Sequence, residues 1–260
     1  MSIAASPELG TGTIKVYGQP GCSSCLRLKE FVERSGRSFE YVNVPDDAEI
    51  REVFKAKGIH PPAVSVGDDY IAGHNLDEVA AFLDVPYEAK DILPPDELKR
   101  RFDIINDSLV LSLRQMQDSP STWTFCLPDR KRNMLDCAAH AARVARTVPG
   151  VYYTDVHDLG LYGEGGDPEC ADDVVGYAVE TRKRIDQWWE DDGQLDSFER
   201  VVKTYSGHHT LLEVWEREVW HTAQHTRQIQ YALELQGIDP DGALTADVLE
   251  GLPIPERVHD

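Results

Sequence analysis

The hydrophobic periodicity of this 260-residue chain changes across a proline-containing segment, and that change constrains the fold more than any other feature. Before the segment, apolar residues recur in short runs, some with the period of two that is typical of half-buried strands. After it, they recur at three- and four-residue steps, as in amphipathic helices. Residues 85–95 contain three prolines and no sustained periodicity. The sequence therefore predicts two domains, residues 13–84 and 96–237, joined by a linker over residues 85–95.

The first domain alternates short predicted strands and helices. Strands are predicted over residues 13–18, 39–44, 63–66 and 70–72, and helices over residues 23–35, 47–57 and 76–83. The order βαβαββα contains a crossover connection and a hairpin. We therefore expect an α/β domain in which helices cover the faces of a mixed sheet.

The second domain is predicted to be all-α. Its long amphipathic patterns cover Asp96–Met116, Asn133–Val148, Asp172–Trp189 and Thr210–Gln236. Residues 149–171 are glycine-rich and irregular, and they are long enough to form a crossover on the surface. Four such helices with one long connection predict a four-helix bundle. Residues 238–260 are rich in proline and aspartate and are predicted to form an irregular tail that wraps loosely.

Charge and cysteine content restrict the function. The net charge is −20 and both halves are acidic, which argues against a direct grip on nucleic-acid phosphates. No stretch approaches the roughly 18 consecutive apolar residues of a membrane span, and residues 1–7 lack the basic and apolar regions of a signal peptide. Five unevenly spaced cysteines argue against a secreted disulfide framework. We therefore expect a cytoplasmic protein without a membrane partner.

Cys22 and Cys25 flank two serines between a predicted strand and the first turn of a helix. Backbone N–H groups and the positive end of the helix stabilise a thiolate there, so we expect Cys22 to have a lowered pKa and to act as a nucleophile. Cys25, one turn further on, can attack the resulting mixed disulfide and release the product. The alternative is half of a zinc site, but no second Cys or His pair follows at similar spacing. The motif therefore favours redox chemistry.

Residues 13–84 resemble the glutaredoxin family, including its mycoredoxin-like branch. The resemblance rests on the segment from Val16 to Cys25, on Pro62 at the position of the family's cis-proline, and on Ile71-Ala72-Gly73-His74-Asn75, which is similar to its Gly-Gly-x-Asp segment. It implies a thioredoxin fold and thiol–disulfide oxidoreductase activity. It also implies that Pro62 shapes the surface that receives an extended peptide or thiol, and that Gly73, His74 and Asn75 line a groove for the γ-glutamyl end of glutathione.

Three departures from the family pattern leave the thiol partner open. Two serines replace the common Pro-Tyr between the cysteines, Ala72 replaces one glycine, and no lysine lies just before the motif. Glutathione, mycothiol and a thioredoxin-reductase-type donor all remain candidates. The substrate is expected to be a low-molecular-weight thiol or a protein disulfide.

A second candidate site is formed by histidines. His221 and His225 lie four residues apart in the strongest predicted helix, so both imidazoles can share one face. Two surface histidines produce the same spacing, so the pair alone is weak. His140 lies among alanines in the second predicted helix, where close packing requires an imidazole to be partnered or bound.

Residues 96–237 resemble the DinB family of four-helix bundles, through the segment His221-x-x-x-His225-x-x-Gln228-Ile229. In that family one histidine of the second helix joins two of the last helix, so the resemblance implies that His140, His221 and His225 bind a divalent metal. Three neutral imidazoles leave positions for water or a substrate thiolate, as in catalytic sites. Zinc is the default ion, and nickel, manganese and iron(II) fit the same ligands.

These two sites leave three functions open. The leading hypothesis is a thiol–disulfide oxidoreductase that works through Cys22 and Cys25. The second is a metal- and thiol-dependent transferase or isomerase centred on the bundle, with the first domain handling its thiol cofactor. In the third, the bundle is a non-catalytic sensor or assembly module. Because DinB-like bundles often form dimers, a homodimer is compatible with each.

Overall fold

The computed structural model describes residues 12–128, 130–155 and 171–259. The chain divides into two units, Met1–Lys90 and Asp91–Asp260, and the division falls within the predicted linker. Among the described residues, no helix combines the length and the apolar character that crossing a membrane requires.

The N-terminal unit is a four-stranded mixed sheet with three helices. Its elements are β1 (Ile14–Gly18), α1 (Ser23–Arg34), β2 (Phe39–Asn43), α2 (Ala48–Lys57), β3 (Ala63–Val66), β4 (Asp69–Ala72) and α3 (Leu76–Leu83). The strand order is β2-β1-β3-β4. Strand β1 is parallel to β2 and antiparallel to β3, which is antiparallel to β4. The predicted α/β architecture and order of elements are therefore confirmed for this unit.

Alternation along β1 divides the core of this unit between the two faces of the sheet. Val16 packs in one buried cluster with Leu28 of α1 and Val79 of α3. Its neighbour Tyr17 packs in another cluster with Phe54 of α2. Successive side chains of a strand point to opposite faces, so the sheet is covered on both sides and β1 is buried at its centre.

The C-terminal unit is mostly helical. Its elements are α4 (Pro95–Asp118), α5 (Ser121–Thr124), α6 (Met134–Val144), α7 (Thr147–Thr154), α8 (Ala171–Asp191), β5 (Val201–Thr204), β6 (Gly207–Thr210), α9 (Leu211–Glu234) and α10 (Ala246–Leu249). Helices α4 and α6 each contact both α8 and α9. The four helices therefore surround a shared apolar interior, which holds the buried residues of two clusters.

Two predictions for this unit are wrong in detail. The helix predicted over residues 133–148 is broken after Val144, and α7 begins at Thr147. Pro149 explains the break, because it has no N–H and is tolerated in a first helical turn but not in a helix interior. The loop predicted over residues 149–171 therefore begins as a helix, and residues 156–170 of it lie outside the described part. The hairpin of β5 and β6 was not predicted.

A capping box fixes the start of α9. The Thr210 hydroxyl accepts a hydrogen bond from the Glu213 amide at 3.2 Å, and the Glu213 carboxylate accepts one from the Thr210 amide at 2.6 Å. Both bonds satisfy amides that the helix itself leaves unpaired. The helix then continues to Glu234 and buries most of its inner face.

The tail after α9 is irregular apart from α10, but it does not wrap loosely. Val248 and Leu252 are 6% and 7% exposed and belong to a core cluster of the unit. The Ser108 hydroxyl of α4 donates a hydrogen bond to the carbonyl of Gly242 at 2.6 Å. Apolar burial and hydrogen bonds therefore hold the tail against the helices.

Candidate functional sites

The cysteine motif lies where the sequence predicted it, at the start of α1. Cys22 is the N-cap residue of the helix, and its Sγ accepts a hydrogen bond from the Cys25 amide at 3.1 Å. The two cysteines form a disulfide with their Cα atoms 5.2 Å apart. In the reduced protein the same amide and the positive end of α1 favour a thiolate at Cys22.

Exposure distinguishes the two sulfurs. Cys22 is half-buried, whereas Cys25 is 1% exposed. Gly18 at the end of β1 permits this burial, because a Cβ at that position would lie only 3.1 Å from the Cβ of Cys25. Of the pair, Cys22 is the sulfur that a disulfide from solution can approach, and Cys25 is held behind it.

Pro62 and Gly73 lie together beside this end of the sheet. The Pro61–Pro62 peptide bond is cis, in agreement with the position that the resemblance assigned to Pro62. The Gly73 amide donates a hydrogen bond to the Pro62 carbonyl at 2.8 Å, and a Cβ on Gly73 would lie 2.4 Å from Cδ2 of Leu28 and 3.2 Å from Pro62. Pro62 also precedes Ala63, which pairs with Tyr17 near the end of β1. Gly73 is therefore required for close packing against Leu28 and the proline.

His74 and Asn75 continue from Gly73 into α3. Asn75 is the N-cap of that helix, and its Oδ1 accepts a hydrogen bond from the Asp77 amide at 3.0 Å. The cap of α3 thus uses the side-chain oxygen of Asn75. A contact between Asn75 and a thiol ligand stays a prediction. Arg27 of α1 donates a hydrogen bond to the His74 carbonyl at 3.4 Å. The sequence reasoning missed Arg27, although it is a cation two residues after Cys25.

The three predicted metal ligands come together in the C-terminal unit. His140 of α6 and His221 and His225 of α9 can each offer one atom such that all three lie within 4.8 Å of one another. The ring centroids of His140 lie 5.2 Å from His221 and 4.8 Å from His225. His221 and His225 are 8% and 1% exposed, and His140 is half-buried. We refer to these residues as the histidine triad.

The triad is held in its neutral form. Burial, followed by the charge of Arg132, lowers the pKa of His225 to about 3. Burial also lowers the pKa values of His140 and His221 well below 6.5, and a positive charge on His225 would lower both further. Neutral imidazole is the form that coordinates a metal, so the environment prepares all three rings for that role.

The hydrogen bonding of the ring nitrogens tests whether these residues fit a metal. Among the described residues, Nε2 of His225 and Nδ1 of His221 are buried and have no hydrogen-bond partner. The other ring nitrogen of His225, Nδ1, lies 2.9 Å from Oε1 of Gln228. Buried polar atoms without a partner are costly and rare. A divalent ion that accepts the lone pairs of these nitrogens would remove this cost, so the residues present fit a metal.

Two further polar residues of the site were not foreseen. Glu218 is completely buried, its Oε1 is bonded by Arg217, and its Oε2 lies 3.9 Å from Nδ1 of His221. Burial raises the pKa of this carboxyl. Cys137 is buried, and its Sγ lies 3.7 Å from Nδ1 of His225. A sequence signal existed, because each residue precedes a triad histidine by three positions and so shares its helical face.

The N-terminal unit is similar to known proteins. Residues 14–71 match the protein-family model described as Glutaredoxin. An uncharacterized glutaredoxin-like 8.6 kDa protein in the rubredoxin operon of Clostridium pasteurianum is 33% identical over 70 residues, which are 25% of this chain and 91% of that protein. The Gene 56 protein of Mycobacterium phage D29 is 31% identical over 75 residues, which are 27% of this chain and 82% of that protein. A solved thioredoxin-like protein is 26% identical with a TM-score of 0.27, over 28% of this chain and 97% of that one.

Proposed function

The chain belongs to the glutaredoxin family through its N-terminal domain, and from this premise we propose that it is a thiol–disulfide oxidoreductase acting through Cys22 and Cys25. The observation that carries the proposal is the difference between the two sulfurs. Cys22 is half-buried and lies at the amide end of α1, whereas Cys25 is 1% exposed. A nucleophile needs both access and a stabilised thiolate, and Cys22 has both.

The reaction begins with the reduced dithiol. The Cys22 thiolate attacks one sulfur of a substrate disulfide, the substrate S–S bond breaks, and one substrate thiolate leaves as the Cys22 mixed disulfide forms. Cys25 then loses its proton and attacks Sγ of Cys22, which releases the second substrate thiolate and forms the Cys22–Cys25 disulfide. Two electrons have passed to the substrate. A thiol donor must return them to complete the cycle.

The donor and substrate bind at the surface next to the motif in this proposal. Pro62, Gly73, His74 and Asn75 line the groove, and the Gly73 packing against Pro62 supports its shape. The donor is a low-molecular-weight thiol such as glutathione or mycothiol, or a thioredoxin-reductase-type protein. A reducing compartment such as the cytoplasm would keep the pair ready for this cycle.

Substitution of each cysteine tests the assignment of roles. With a mixed-disulfide substrate and each donor in turn, Cys22→Ser should abolish turnover. Cys25→Ser should accumulate a mixed disulfide at Cys22, detectable by intact-protein mass spectrometry. Cys126→Ser is the matched control, because Cys126 is an exposed free thiol outside the motif. Retained turnover in Cys22→Ser, or trapping at another cysteine, would refute the proposal.

We further propose that the C-terminal unit is a DinB-like four-helix bundle whose histidine triad holds a divalent ion, with zinc as the first candidate and nickel, manganese or iron(II) as alternatives. Two observations support this: Nδ1 of His221 and Nε2 of His225 have no hydrogen-bond partner in the described part of the chain, and the triad is neutral. When bound, such an ion would lower the pKa of a coordinated thiol or water.

The second candidate function follows from this site. A three-histidine ligand set leaves positions for a substrate group, which favours a metal- and thiol-dependent transferase or isomerase whose thiol is handled by the N-terminal domain. A non-catalytic sensor or homodimeric assembly module would use the same ligands. In either case the ion held by the triad would act in the C-terminal unit and would take no part in the exchange between Cys22 and Cys25.

Metal analysis tests the triad directly. The purified chain should hold about one equivalent of metal by elemental analysis, and His221→Ala should lose it. His208→Ala is the control, because His208 is exposed on β6. Absence of stoichiometric metal from the wild type after zinc loading and desalting would refute the metal site. If His221→Ala also leaves disulfide turnover unchanged, the two sites act independently.

A further inference from the structure

The last described residues of the chain lie across α9 beside the histidine triad. We refer to Pro255–His259 as the C-terminal strap. Three side chains of α9 bind its backbone carbonyls. Gln224 Nε2 donates to Arg257 at 3.0 Å and Val258 at 2.8 Å, Arg227 donates to Pro255 at 2.8 Å and Glu256 at 3.0 Å, and Gln228 Nε2 donates to Val258 at 3.0 Å. The ring of His259 stacks on Tyr231, with centroids 5.5 Å apart.

Gln228 connects the strap to a metal ligand. Its side chain is 1% exposed, and its Nε2 is used by the Val258 carbonyl. Because a carbonyl accepts and cannot donate, the NH₂ end of the amide must face Val258 and the oxygen must face His225. That oxygen lies 2.9 Å from Nδ1 of His225. An oxygen accepts only from a protonated nitrogen, so Nδ1 carries the proton and the lone pair lies on Nε2.

The consequence is a defined tautomer at a buried ring. Nε2 of His225 is the atom left without a partner among the described residues. If the amide of Gln228 were reversed, its NH₂ would face Nδ1, the proton would move to Nε2, and that atom could no longer coordinate a metal. The Val258 carbonyl prevents the reversal. The strap therefore determines which nitrogen of His225 keeps the lone pair that can coordinate a metal.

We propose that the C-terminal strap is a positioning element of the metal site: the Val258 carbonyl orients the Gln228 amide, which fixes the tautomer and ring orientation of His225. The proposal rests on the metal-binding function proposed above. Gln228 is a positioning residue and does not itself touch the ion. Partners that hold a ligating histidine by its other nitrogen typically change metal affinity by roughly 10- to 100-fold when they are removed.

Thermodynamic linkage predicts that zinc binding and attachment of the strap affect each other. If attachment of the strap favours zinc binding, zinc binding must favour attachment of the strap by the same factor. The Arg257, Val258 and His259 amides should therefore exchange their hydrogens more slowly in the zinc-loaded protein. Gln228→Ala should remove most of this difference, because the strap and the ring are then no longer joined.

Substitutions in the full chain separate the two ends of the Gln228 amide. Gln228→Ala should weaken zinc affinity by roughly 10- to 100-fold in calorimetric titrations at pH 7.5. Gln228→Glu keeps an acceptor for Nδ1–H but loses the donor to Val258, so it should restore part of the affinity while the strap stays detached. Gln224→Ala loosens the strap without changing Gln228 and should weaken zinc binding by a smaller factor.

Gln115→Ala is the matched control. Gln115 of α4 also holds the tail through two hydrogen bonds, to the Asp239 carbonyl and the Asp241 amide, both at 2.8 Å, but these lie at the tail's other end. The zinc affinity of Gln115→Ala should stay within twofold of that of the wild type. Wild-type affinity in Gln228→Ala and Gln224→Ala, with the wild type binding zinc, would overturn the strap proposal alone. A wild type that binds no zinc would overturn the metal site as well.

Discussion

The stability of the metal-free C-terminal unit should fall as the pH is lowered below 6.5, and His225 should supply a measurable part of that fall. In the folded protein the pKa of His225 is lowered to about 3, from an ordinary value of 6.5, chiefly by burial. The unfolded chain takes up a proton near pH 6.5, whereas the folded chain does not until near pH 3. The contribution of His225 is therefore complete above pH 6.5 and is lost progressively between pH 6.5 and 3.

The size of this contribution follows from the linkage relation. One unit of difference in pKa corresponds to about 1.4 kcal/mol, so lowering the pH from 7.5 to 5 should cost about 2 kcal/mol through His225 alone. His140 and His221 have lowered pKa values and act in the same direction. Glu218 has a raised pKa and acts in the opposite direction. The loss of about 2 kcal/mol through His225 is substantial beside the roughly 5–15 kcal/mol that stabilises a typical domain.

The experiment compares the wild type with His225→Gln, which cannot titrate in this range. Urea unfolding is followed by tryptophan fluorescence, with a chelator present, at several pH values from 7.5 to 5. All five tryptophans lie in the C-terminal unit, so the signal reports that unit. The difference in unfolding free energy between the two proteins should change by about 2 kcal/mol over this range, because folded His225 stays uncharged there and so leaves the titration of its neighbours unchanged.

A difference that stays constant with pH would refute the reasoning, because it would mean that His225 titrates alike in the folded and unfolded states. The absolute stability of His225→Gln does not enter this test. Adding zinc at neutral pH should stabilise the wild type more than His225→Gln, because only the wild type retains the complete triad and gains stability from the bound ion.

Three substitutions test packing and capping, with unfolding in urea as the measurement. Gly73→Ala puts a Cβ 2.4 Å from Cδ2 of buried Leu28 and 3.2 Å from Pro62 and should destabilise the N-terminal unit by about 1–3 kcal/mol, followed by circular dichroism; wild-type stability would contradict the packing described. Among the residues that the structure describes, the Cβ of Gly176→Ala on α8 would meet no atom within 4 Å outside its own helix. This substitution should stabilise by about 0.5–1 kcal/mol, and a loss would contradict this. Thr210→Ala removes the cap that accepts from Glu213 and should cost about 1 kcal/mol, whereas Thr210→Ser should retain most of it; equal stability of the two variants would be the contrary result.

Local patterns determined most of the secondary structure. The strand β3 and the helix α3 lie at the predicted residues, and the ends of α1, α2 and α9 fall within one or two residues of the prediction. The break between α6 and α7 was missed, because the apolar pattern continues through it and only Pro149 marks the change. The hairpin of β5 and β6 was missed because its strands are short and lie next to a much stronger helical pattern.

The sequence by itself determined where the chemically useful side chains lie along the elements. It placed Cys22 at the start of a helix and His221 and His225 on one helical face, since both features depend only on the period of the local backbone. Local patterns did not place His140 beside that pair: the family resemblance implied it and the tertiary structure brings the three rings together. Tertiary structure alone decided that Cys25 is buried while Cys22 is accessible, and that the strap binds Gln228. These depend on contacts between residues distant in the chain, and no local period encodes which helical face packs against which partner.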